Sequence, residues 1–140
     1  MNDFAQIGTI IQMAVAPAFL ITGIGATLTV MSTRLSRIVD RFRVLNESNN
    51  PLIRNKDKEL ASLLNRARWT HRAIFLTTIS ALLLSVLIAM IFISTEVNFD
   101  LDQYLSILFT MAMTALILGL LCFLREVNLS KGVINQNKKA

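Results

Sequence analysis

Residues 34–43 read RLSRIVDRFR, and they follow closely on residues 7–31, IGTIIQMAVAPAFLITGIGATLTVM, a run without one charged side chain. Four arginines and one aspartate fall within those ten residues. A long apolar run that stops at clustered Arg reads as a membrane span meeting the cytoplasmic surface. The chain is therefore expected to be an integral membrane protein, all-α, with three transmembrane helices.

Composition agrees. Hydrophobic residues make up 54% of the 140 residues and charged ones 16%, whereas soluble domains sit near about 45–50% and about 25%. The single cysteine, Cys122, lies in an apolar segment, so neither a disulfide framework nor a cysteine metal site is available. Residues 1–12 carry no basic group ahead of the apolar core, unlike a secretory signal peptide, and the first span is expected to be retained.

Charge divides by region. All fourteen Lys and Arg fall in residues 34–72 and 125–139, with five of the acids, while Asp3, Glu96, Asp100 and Asp102 lie in stretches without a basic residue. The positive-inside rule then places the N-terminus outside, residues 34–72 and the C-terminal tail in the cytoplasm, and the acidic loop at 95–103 outside. Topology and anionic lipid headgroups account for the basic bias, and no nucleic-acid partner is expected.

The first span, 7–31, is about 37 Å of helix, against about 30 Å of bilayer core. Pro17 is expected to kink it. Thr22, Gly23, Gly25, Ala26 and Thr29 are small and suit close approach of a neighbouring helix. Gln12 is the one amide side chain in the spans, so it is expected to face another helix or a wet cavity, as a packing contact or in a pore. Beyond Thr33, residues Leu35, Ile38, Phe42 and Leu45 form an apolar stripe beside Arg34, Arg37 and Arg41. Asp40 stands three residues from both Arg37 and Arg43, and an Arg37–Asp40–Arg43 ion-pair network is expected.

Asn and Ser with Pro51 mark a turn over 46–55. Helical periodicity resumes at Asp57 and leads without a breaker into a second span, 73–94. The extensions of the first and second helices are expected to form a cytoplasmic antiparallel hairpin over about 34–72. Trp69 marks the second helix's entry into the bilayer, with the lone histidine, His71, beside it; Tyr104 anchors the start of a third span, 104–124, in which Gly119 is a close-packing position. The tail from Glu126 to Ala140 is expected to be mobile. All 140 residues belong to one membrane domain.

Catalytic constellations are missing from the sequence: there is no HExxH, no phosphate-binding glycine loop, no nucleophile elbow and no cysteine pair. The spans hold no ionisable Asp, Glu, Lys or Arg, which argues against a proton-coupled transporter. No enzyme activity, catalytic residue, metal or cofactor is expected. PAFLITGIGATLTV followed by RLSRIVDRFR resembles a bacterial family of small three-span membrane proteins known as a domain of unknown function, over about residues 10–125. Pro17, Gly23, Gly25, Arg34, Arg37, Asp40 and Arg41 carry the likeness. It implies a bacterial inner-membrane location and brings no activity or ligand with it. The expected function is that of a self-associating membrane protein whose Arg34, Arg37, Arg41 and Arg43 bind anionic headgroups or an acidic protein partner. The alternative is a homo-oligomeric ion channel lined by the first span.

Overall fold

A computed structural model describes residues 2–47, 56–97 and 102–137. All three stretches are helical: α1 spans Asn2–Glu47, α2 Lys56–Val97 and α3 Asp102–Asn137. At 46, 42 and 36 residues they are about 69, 63 and 54 Å long at 1.5 Å per residue. Each outruns a bilayer core of about 30 Å, so each carries an apolar window and a polar extension.

The apolar windows decide the environment. Only 17%, 28% and 11% of the most apolar stretch of α1, α2 and α3 is buried within the bundle. Phe19, Phe75, Leu82, Ile93, Met111 and Leu121 all point outward. In water this shell would be an extended apolar surface far beyond what soluble proteins tolerate. The chain is a multi-pass membrane protein, and the three expected spans lie inside its three long helices.

α2 packs against both other helices. Ile24 of α1, Leu84 of α2 and Ala112 of α3 share one buried cluster, flanked by Leu20, Leu28, Ala81 and Leu116. Lipid offers no hydrophobic drive for this contact, so close packing and hydrogen bonds must supply it. Two features do so. Ser80 donates a hydrogen bond across to the Ala112 carbonyl at 2.8 Å. At Gly119 the helices approach so closely that a Cβ would stand 2.6 Å from Thr77 Oγ1 and 3.3 Å from the Ala73 carbonyl. Other hydroxyls, among them Thr77, Thr78 and Ser85, bond back to their own helix four residues earlier, which removes their cost without building a site.

A second cluster lies in the charge-bearing extensions: Ile38 and Leu45 of α1 against Leu63 of α2, with Phe42, Leu60 and Ala67 alongside. These residues leave water on packing, at about 1.5–3 kcal/mol for each fully buried large side chain. Ile38, Phe42 and Leu45 of α1 thus gather with Leu60, Leu63 and Ala67 of α2. The segment that would turn between them, 48–55, lies outside the described residues.

Helix α1 runs unbroken through Pro17, which is buried, and across Ser32 and Thr33. Helix α3 continues past the end of the expected third span at Leu124 and stays helical to Asn137. No proline follows Leu124, and Glu126 is fully buried, so this turn of α3 is tied into the bundle. Residues 138–140 lie outside the described residues.

Candidate functional site

The tie is electrostatic. Arg34 comes three residues after Met31, the last residue of the apolar run on α1. Antiparallel pairing with α2 brings Arg66 to the same level, and α3 returns with Glu126 just past its own apolar stretch. Arg34 Nη1 donates to Glu126 Oε2 at 3.0 Å. Arg66 donates from Nε and Nη2 to Oε1 at 3.2 and 2.9 Å. Each carboxylate oxygen therefore serves a different helix, and one buried side chain joins all three.

Such an arrangement has a physical logic. A buried carboxylate is tolerated only when paired and hydrogen-bonded, and here two guanidiniums meet it while the Arg34 and Arg66 side chains keep 42% and 22% exposure. Among the described residues no buried side-chain nitrogen or oxygen lacks a partner. Aromatic rings complete the layer: the Arg34 guanidinium lies 5.3 Å from the Phe123 ring centre, and the guanidiniums of Arg125 and Arg72 lie 4.3 and 5.3 Å from that of Trp69. Contacts in this range are attractive through the ring quadrupole.

Beside this layer, between α1 and α2, opens a cavity of about 270 Å³ lined by Arg34, Arg37, Ile38, Arg41, Leu63 and Arg66. Arg41 is held by Glu59, its Nε and Nη2 donating to Oε1 at 3.2 and 3.0 Å. Four arginines line one small space.

The family described as protein of unknown function DUF2721 matches residues 14–136. The chain belongs to this family. No curated protein and no solved structure matches it. The DUF2721 match contains all four cavity arginines, Glu59 and Glu126, whereas Gln12 falls before its first residue.

Within this DUF2721 chain the sequence-predicted residues part company. Arg34, Arg37 and Arg41 share the cavity. Arg43 is exposed and does not line it. Asp40 faces a separate hollow with Ser32, Leu35, Ser36 and Val39; among the described residues no ion pair joins it to Arg37 or Arg43. Exposed pairs along one helix contribute only about 0–1 kcal/mol, too little to hold flexible side chains against water. The pairs that form run between helices.

Gln12, Thr22, Gly23, Gly25 and Thr29 lie on the exposed surface of α1. Thr22 and Thr29 donate to the carbonyls of Ala18 and Gly25 at 3.3 and 3.0 Å. A Cβ at Gly23 or Gly25 would meet nothing within 4 Å. Tyr104 and His71 are exposed, and Trp69 is half-buried. Sequence reading passed over Arg66 and Glu126. The usable signal was depth: each stands near the point where its apolar run meets charge, at the level of Arg34.

Proposed function

We propose that this chain is a non-enzymatic, self-associating protein of the bacterial inner membrane whose arginine-bearing α1–α2 extension binds anionic lipid at the cytoplasmic surface. The observation that carries this reading is the gathering of Arg34, Arg37, Arg41 and Arg66 immediately beyond the apolar windows. Orientation with the N-terminus outside follows from the concentration of Lys and Arg at this end. Each basic group near a charged leaflet contributes about 1 kcal/mol to attraction.

Substituting Arg34, Arg37 and Arg41 together by Gln is expected to weaken binding to phosphatidylglycerol vesicles at low salt by ten- to a hundredfold, read by co-sedimentation. Unchanged binding would remove lipid from the proposal and leave an acidic protein as the partner to seek. A second reading, a homo-oligomeric channel lined by α1, is favoured by the exposed Gln12 on a helix otherwise bound for lipid. Its Arg cluster would set anion preference at the mouth.

A further inference from the structure

Resting on the lipid-binding reading but narrower than it, we infer that the cavity between α1 and α2 is a site for a single phosphate group, gripped by Arg37 together with Arg34, Arg41 and Arg66. The argument begins with charge. Four arginines line the cavity, and two carboxylates, Glu126 and Glu59, pair with three of them. Arg37 forms no ion pair among the described residues. An excess of positive charge is left along this open hollow, and it suits a phosphate diester or monoester.

Donor geometry points the same way. Each guanidinium carries five N–H donors, and the internal carboxylates use only part of them. Glu126 engages Nη1 of Arg34 and the Nε, Nη2 edge of Arg66. Glu59 engages the Nε, Nη2 edge of Arg41. Among the described residues, Arg66 and Arg41 each retain Nη1, Arg34 retains Nε and Nη2, and Arg37 retains its whole fork. Planar forks of this kind match the tetrahedral oxygens of phosphate in bidentate fashion. Glu126 is then a positioning residue: fixed in the bundle, it holds two guanidiniums close together that would otherwise repel.

Size and depth narrow the ligand. At about 270 Å³ the space lies just under the usual range of small-molecule pockets, about 300–1,000 Å³, a size that suits a phosphate with a few carbons. Ile38 and Leu63 give those carbons an apolar wall. Arg37 and Arg41 lie about 4.5 and 10 Å along α1 from Arg34, spanning the headgroup layer of roughly 5–8 Å beyond the hydrocarbon. A phospholipid headgroup and a free phosphate offer the same chemistry here.

The test uses the full chain in neutral detergent with two probes: inorganic phosphate followed by titration calorimetry at constant ionic strength, and phosphatidylglycerol against phosphatidylcholine followed by native mass spectrometry. One-to-one binding of at least one anionic probe is expected. Arg37→Gln, at an exposed residue with no ion pair among the described residues, is expected to weaken it at least tenfold, and Arg68→Gln, the same charge change outside the cavity, by less than twofold. Phosphate binding alone identifies a soluble ligand and phosphatidylglycerol binding alone a headgroup; either supports the site. Absence of saturable binding, or equal weakening by the two variants, overturns it. Equal weakening would still leave diffuse attraction to anionic membranes standing, whereas vesicle binding indifferent to every arginine would remove the broader reading as well.

Discussion

A carboxylate closed off from solvent between two guanidiniums is stable only while both remain. Glu126→Gln keeps the shape and removes the charge, leaving Arg34 and Arg66 facing each other. Breaking a buried pair costs about 3–5 kcal/mol. Because both arginines keep some exposure and can rehydrate, a loss near the lower end, about 3 kcal/mol, is expected in the unfolding of the detergent-solubilised protein. Arg41→Gln, which breaks only the exposed pair with Glu59, is expected to cost less than about 1 kcal/mol in the same measurement. Equal losses from the two would show that burial of Glu126 adds nothing. This residue was not legible in the sequence for a plain reason. Its partners lie 92 and 60 positions away, and no local pattern connects them, so the polar residues around Glu126 read as the start of a tail.

Helices, by contrast, were readable because their cause is local. Uncharged runs of membrane length, a stripe at three- and four-residue spacing, and the lack of a breaker at Ser32–Thr33 or ahead of Ala73 are properties of contiguous residues. Which small residue meets a neighbour is not such a property. Gly23, Gly25 and Gly119 look alike in sequence, yet only Gly119 has another backbone against it. Gly119→Ala gains up to about 1 kcal/mol of helix propensity and sets this against overpacking, typically about 1–3 kcal/mol. A net loss of about 1 kcal/mol is expected, partly recovered when Thr77→Ala removes the nearest atom. At Gly25 the same change meets open space and is expected to be neutral or slightly stabilising. Thermal unfolding of the four proteins in detergent separates these outcomes.

At the scale of the whole molecule, one side of α1 remains open, and it carries Gln12, Thr22, Gly23, Ala26 and Thr29. Packing of a second copy there would give Gln12 a partner and place small residues where backbones can approach. The intact assembly, weighed with its lipids, is expected to be a multiple of the 15.6 kDa chain. Gly23→Ile is expected to shift it toward the monomer without lowering the stability of the single bundle. A monomeric mass for the unsubstituted protein would exclude both self-association and the channel. The order in which the ribosome delivers the parts adds a last consequence. Arg34 and Arg66 are made and inserted long before the carboxylate that reconciles them, so a nascent chain ending near Leu124 holds two apposed like charges at the membrane surface. Addition of the third helix sets one negative charge between them, so the three-helix layer closes only once Glu126 has been made.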